Sequence, residues 1–435
     1  MGPSRSVHRH RRPPSPARAR VAVGSLAAVV ALLVAGLAPT GAGAVEVPPP
    51  TPVDGKPSPF VTDLQTPEPS PRAPSIRAPV GVLADLDSGQ VLFSKGLNDQ
   101  RPIASVTKLM TVLVAIDRAD LDDVVTIGPN ASPRVSGYHG SEIDLRVGEQ
   151  LTVEQLVTAA LIQSANDAAV ALAEYVGGSV QRFVAMMNAK ARRLGMRDTR
   201  FASASGLEDS GRSTASDLLV LASEVMQIDA VARIVATKFA QIPAPDGKPR
   251  EIQNRNVLLW LYPGAIGIKT GYTTGARFCL VGAAERDGLR LATVVLGAPT
   301  PEGQFSDSAA LLNYGFAAFE RHTFVEDGQP LGSLQIPGGA VSGSSAGSLE
   351  ALVPTAQADA ATQRFIAAPD AAFPPAPGEQ IGALLIESGR LDLGEVPVIA
   401  ADVPPPPPAM QGPWWRRTLT SLTDATGDLA RGLLT

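Results

Sequence analysis

The stretch "AIGIKTGYTTGARFCLVGAAERDGLRLATVVLGA" (265–298) decides the fold. Its three strand-forming runs are separated by the turn signals "TGA" and "RDG", so it reads as an antiparallel meander. Working backward, "VGVLADL", "DSGQ" and "VLFSK" from about Ala78 form a hairpin with its turn at Asp87 to Gly89. The residues between hairpin and meander have a helical period. Val106, Leu109, Met110, Leu113 and Ile116 follow the i, i+3, i+4, i+7 rule, and Ser105 before them is a good N-cap type. Thr152 to Gln155 is a T-x-x-Q capping box opening "VEQLVTAALIQ"; "DAAVALAEYV" stops at Gly177, and "VQRFVAMMNAKARRL" runs from Ser179 to Gly195. A last helix covers "SDSAALLNYGFAAFE" after the meander. Strands, an all-helical block, strands again and a final helix predict one α/β unit over 78–320, in which the early hairpin joins the later strands across a helical insertion.

The flanks differ in composition. Residues 1–44 hold six arginines and no acid, and the apolar run "VAVGSLAAVVALLVAGL" (21–37) precedes small residues at 42–44. This reads as a secretory signal, with an uncleaved membrane anchor as the alternative. Either way the body is expected to be exported. Residues 45–77 are proline-rich and read as a linker. Short apolar runs broken by a Ser/Gly/Ala-rich stretch predict a small β-rich domain with a disordered, low-complexity insert over 323–403. A proline-rich spacer (404–413) leads to "WWRRTLTSLTDATGDLARGLLT" (414–435), whose Trp415, Leu419, Leu422, Leu429 and Leu433 suggest an amphipathic tail helix able to touch a membrane.

Composition excludes several classes. Beyond residue 44 there are 31 basic and 42 acidic side chains, a balance of −11, which argues against a nucleic-acid partner. The single cysteine, Cys279, allows no intrachain disulfide and reads as a small buried hydrophobe. Only His139 and His322 remain for a Ser-His-Asp triad or a His/Cys zinc site, so both are disfavoured. No metal or organic cofactor is implied.

Chemistry enters with "PIASVTKLMT" (102–111). It places one of only seven lysines three residues after a serine in an apolar setting. On a helix Ser105 and Lys108 share a face, and a lysine enclosed by apolar neighbours has its pKa lowered until it can act as a base. A chain with 30 serines and seven lysines holds roughly half an accidental S-x-x-K, so the pair needs corroboration. "QSANDAA" supplies Ser164 and Asn166 at a break between predicted helices, where both could equally be caps. "GIKTGYT" places Lys269, Thr270 and Gly271 in a strand with no other charge.

S-x-x-K, S-x-N and K-T-G in this order are the signature of penicillin-binding proteins and class A β-lactamases. With "LIQSANDAAVALAE", "MNAKARRLGMRDTRFASASGL" and "NRNVLLWLYPGAIGIKTGYTTGARFCLVGAAERDG", the region 78–320 resembles the D-alanyl-D-alanine carboxypeptidases among the low-molecular-mass penicillin-binding proteins. The resemblance implies a β-lactamase/transpeptidase-like fold: an antiparallel sheet flanked by helices with an all-helical insertion. It implies that Ser105 attacks the D-Ala-D-Ala bond of a peptidoglycan stem peptide, that Lys108 takes its proton, that Ser164 relays a proton to the departing D-alanine, and that Asn166 bonds Lys108 and substrate. Lys269 and Thr270 would hold the terminal carboxylate, Gly271 would leave room for the acyl group, and the N–H groups of Ser105 and Tyr272 would form an oxyanion hole. β-Lactams would acylate Ser105. Where many relatives carry "NPHGL" and a following histidine, this chain has "SASGL" (203–207) and Arg212.

Three other readings remain open. A DD-endopeptidase performs the same chemistry on a crosslink. A class A β-lactamase needs a water-poising glutamate; no E-x-x-L-N segment lies between Asn166 and Lys269, and Glu208 and Glu174 are the nearest candidates. A silent cell-wall scaffold would be expected to lose one of Ser105, Lys108 or Lys269.

Overall fold

The computed structural model describes residues 71–401 apart from 138–139, 357–360 and 389–390. The expected leader, most of the linker, the proline spacer and the tail helix lie outside the described residues. All described residues belong to one unit, Glu46–Thr435.

In chain order the residues up to Ala318 contain β1 (Val80–Asp85), β2 (Val91–Lys95), a 3₁₀ turn (Ala104–Thr107), α1 (Lys108–Ile116), β3 (Val124–Thr126), β4 (Gln150–Thr152), α2 (Val153–Thr158), α3 (Asn166–Gly177), α4 (Val180–Arg193), α5 (Ala215–Met226), α6 (Asp229–Ala236), β5 (Phe239–Ile242), β6 (Arg250–Gln253), β7 (Ala265–Thr273), β8 (Arg277–Arg286), β9 (Leu289–Ala298) and α7 (Pro301–Ala318). The main sheet has the order β2-β1-β9-β8-β7, antiparallel throughout. As the sequence predicts, the early hairpin completes the late meander, with Val82 opposite Val294.

Period-two alternation explains why the sheet sits in the middle. Val80, Val82, Val281 and Val294 point into the core shared with the helical lobe. Leu83, Leu280, Leu291 and Val295 point to the other face, onto Phe305, Ala309 and Leu312 of α7. Both faces are therefore covered, and β1 is buried at every position. β7 lies at one edge, which leaves the K-T-G strand with a single hydrogen-bonded neighbour.

Three expectations change. Ser105 is not an N-cap: it lies inside the 3₁₀ turn, which has no side-chain cap, because its hydroxyl is engaged by Lys108. The helical block is not wholly helical, since β3 pairs with β4 and β5 with β6 in two-stranded ribbons too short to be seen against the apolar pattern around them. Finally, the Ser/Gly stretch is a strand rather than an insert. After α7 the chain forms β10 (Phe319–Val325), β11 (Pro330–Ile336), β12 (Gly339–Ser345), β13 (Leu349–Pro354), β14 (Ala361–Ala367), β15 (Gln380–Ser388) and β16 (Leu391–Ala400), a β-rich region as expected. β12 contributes Val341, Gly343 and Ser345 to the buried face of a five-stranded sheet. Its small residues serve packing: a Cβ on Gly343 would stand 2.5 Å from a Leu334 methyl, and Ser345 Oγ donates to Glu326 O at 2.6 Å.

Candidate active site

Three walls meet where helical lobe and sheet adjoin. The first is the 3₁₀ turn, which begins at Ala104 with φ +47° and runs into α1. It places Ser105 Oγ and Lys108 Nζ 2.8 Å apart. Lys108 is fully buried, and its Nζ also lies 2.7 Å from Asn166 Oδ1 and 2.8 Å from Ser205 O. Burial pulls its pKa down to about 7 and Arg255 adds to the effect, while Asp167 and Glu208 oppose it. At that pKa much of the amine is neutral near pH 7, so the Ser105 hydroxyl can donate to its lone pair.

The second wall comes from a break in a helix. α2 ends in a single π turn, Ala159–Gln163, and Ser164 follows in the left-handed region at φ 64°. π turns of this kind recur at functional sites because the extra residue redirects side chains. Ser164 and Asn166 are both buried. Asn166 opens α3 and reaches Lys108; the three hydrogen-bond partners of Lys108 Nζ are Ser105, Asn166 and Ser205, and Ser164 is not among them.

β7 is the third wall. Lys269 is fully buried and donates to Thr270 O at 2.9 Å. Burial, Lys108 and Arg255 together push its pKa well below the usual lysine range. Gly271 is where strand and turn touch: a Cβ there would lie 2.9 Å from Ile103 O, 3.0 Å from Ser105 N and 3.1 Å from Val106 N. Only glycine lets the two backbones come this close. Tyr272 faces Phe278 with ring centroids 4.4 Å apart.

The loop that departs from "NPHGL" closes the floor. Gly206 (φ +78°) presses against the turn so closely that a Cβ would meet Ala104 O at 1.9 Å. Asp209 accepts from Thr273 Oγ1 and, at 3.1 Å, from Gly275 N, which ties the loop to the end of β7. Arg212 exchanges backbone hydrogen bonds with Arg200. Of the two glutamates considered for a β-lactamase, Glu174 is held by Asn130 at 2.6 Å, whereas Glu208 contributes to the field at Lys108. Cys279 is buried, with its thiol pushed up to about 11, which fits an inert core residue. No cluster of metal ligands occurs among the described residues.

Sequence reasoning missed Ser205, whose contribution is a carbonyl and carries no side-chain signal. It also missed Arg255 and Asp167, two charges beside the site; Arg255 Nε donates to Gln163 O at 2.9 Å. The N-R-N run and the aspartate directly after S-A-N were the available signals.

The D-alanyl-D-alanine carboxypeptidase family model matches residues 67–300, more than half of the chain. Among curated proteins the chain is 33% identical over 260 residues to the D-alanyl-D-alanine carboxypeptidase DacF of Bacillus subtilis, covering 59% of this chain and 67% of that one. It is 40% identical over 242 residues to DacB2 of Mycobacterium tuberculosis, covering 54% and 81%. The solved penicillin-binding protein 5 of Haemophilus influenzae superposes with a TM-score of 0.67 at 28% identity over 76% of this chain and 98% of the other. With the motif serines and lysines gathered on this fold, the chain belongs to the D-alanyl-D-alanine carboxypeptidase family of serine peptidases.

Proposed function

We propose that the protein removes the terminal D-alanine from peptidoglycan stem peptides through an acyl-enzyme on Ser105. The observation that carries this reading is the 2.8 Å hydrogen bond between Ser105 Oγ and a fully buried Lys108 whose pKa lies near 7. Neutral Lys108 takes the hydroxyl proton as Oγ attacks the D-Ala-D-Ala carbonyl. The developing oxyanion is held by the N–H groups of Ser105 and Tyr272, which the close approach of Gly271 to Ser105 N keeps near one another. The C–N bond then breaks, Ser164 passes a proton to the leaving amine, and water hydrolyses the ester. Asn166 holds Lys108, and Lys269 with Thr270 attracts the substrate carboxylate, whose charge would return Lys269 to its ammonium form. β-Lactams acylate the same serine. The substrate lies outside the cytoplasmic membrane, so the reading includes export through the arginine-led N-terminal segment and membrane contact through that segment or the tail helix.

Intact mass after mixing with benzylpenicillin tests it, with Ser105→Ala as control. A stable one-to-one adduct absent from the control, with D-alanine release from diacetyl-Lys-D-Ala-D-Ala, is expected. A transient adduct with fast loss of penicillin would favour a β-lactamase, and no adduct on folded protein would leave the scaffold.

A further inference from the structure

Resting on that reading, the geometry points to Asp167 as a positioning residue: from the first turn of α3 it rivets the loop 141–149 against the S-A-N segment and so sets Asn166 and Lys108 in register. The carboxylate is almost wholly buried, yet among the described residues it accepts only backbone N–H groups. Oδ2 takes Ile143 N at 3.0 Å and Leu145 N at 3.1 Å, and Oδ1 takes Ala168 N at 2.9 Å. Two of these donors lie on the loop and one on α3, so one side chain joins the two. The loop answers on both sides of Ser164: Ser141 O accepts from Asn166 N at 2.7 Å, and Ser141 Oγ donates to Gln163 O. A second anchor holds the loop from the opposite side. Arg250 of β6 donates to both oxygens of Glu149, at 2.7 and 2.9 Å, and to Asp144 O at 3.1 Å.

An isolated carboxylate in such a place would be protonated; burial raises this one to about 6, against the lowering effect of its N–H donors and Arg250. It is therefore ionised where Lys108 must work, and it is the largest of the influences that raise the Lys108 pKa. The other charges acting on Lys108 are Arg255 and Glu208, and Lys108 in turn lowers the pKa of Lys269. Asp167 thus does two separable things: it fastens a loop, and it supplies a negative charge to the base.

Asp167→Asn keeps the shape, removes the charge and turns an amide N–H toward a backbone N–H. Acylation by a fluorescent penicillin, followed from pH 5 to 9 on the full chain, should slow at least tenfold on the alkaline plateau. The acidic limb should move to lower pH, because losing a nearby negative charge lowers the Lys108 pKa. Arg250→Gln loosens the strap but leaves the Asp167 carboxylate in place; it should slow acylation on the alkaline plateau, where Asp167 is ionised with or without its arginine. Wild-type protein must form the Ser105 adduct in the same experiment, so failure of the proposed function would show separately. Asp167→Asn acylating as wild type, or slowing with an unmoved limb, would overturn the assignment. Should that variant not fold, Ser141→Ala decides: slower acylation with normal unfolding supports the strap, and a wild-type rate overturns it.

Discussion

At Lys108 two opposed electrostatic effects can be weighed. Burial disfavours the ammonium and nearby carboxylates favour it, yet the pKa still falls from 10.5 to about 7. That difference amounts to about 5 kcal/mol. The folded pKa lies below the unfolded one, so the unfolded chain binds more protons between them, and this group makes the fold less stable as pH falls from 10.5 towards 7. On the proposed mechanism the sign is the reverse of a requirement for charge: a base at Lys108 must be neutral. Acylation should fall about tenfold per pH unit below pH 7, a slope that labelling rates against pH will read. Lys108→Met should abolish acylation and still unfold within about 1 kcal/mol of wild type. It loses three hydrogen bonds and strands two acceptors, at about 1–3 kcal/mol each, but escapes the buried charge. Gly271→Ala is the complementary case, a methyl group aimed at the backbone of Ile103 and Ser105. It should cut acylation at least tenfold with a smaller effect on melting, measured side by side.

Elements divide by how their signals are written. The T-x-x-Q box is as sequence reasoning reads it: Gln155 N donates to Thr152 Oγ1 at 3.2 Å while Gln155 Oε1 accepts from Thr152 N at 2.9 Å. Thr152→Ala should lower stability by about 1 kcal/mol, seen in denaturant midpoints, without changing the acylation rate. The meander, the hairpin and α3 were equally legible, because alternation, turn residues and helical period are local properties. What escaped the sequence depends on neighbours distant along the chain. Ser105 has an N-cap's chemistry and spends its hydroxyl on Lys108. The π turn before Ser164 has no composition of its own, and the ribbons β3–β4 and β5–β6 are three or four residues long. β12 resembles a low-complexity linker because glycine and serine are what its crowded sheet face admits. Within the site, side-chain motifs were legible, whereas the Ser205 carbonyl and the Asp167 rivet became visible only with the backbone.

Across the whole molecule, the β-rich C-terminal region is latched to the first hairpin. Gln90 pairs in both directions with the backbone of Leu352, at 2.7 and 2.8 Å, and Arg321 reaches the buried Asp85 at 3.2 Å. Gln90→Ala should speed amide exchange in β10 and β13 while leaving exchange in β8 and β9 unchanged, a contrast readable by mass spectrometry. The same hairpin carries a consequence for the order of events when the chain first acquires its shape. β1 finds its partner more than two hundred residues later, Val80 against Leu296. Contacts so distant close slowly and late, whereas the helices between them can assemble from near neighbours. During synthesis the sheet that carries Lys269 therefore cannot be completed until almost all of the domain has emerged: a chain stopped before residue 289 would hold Ser105 and the β7–β8 hairpin but lack β9, the strand that joins that hairpin to β1.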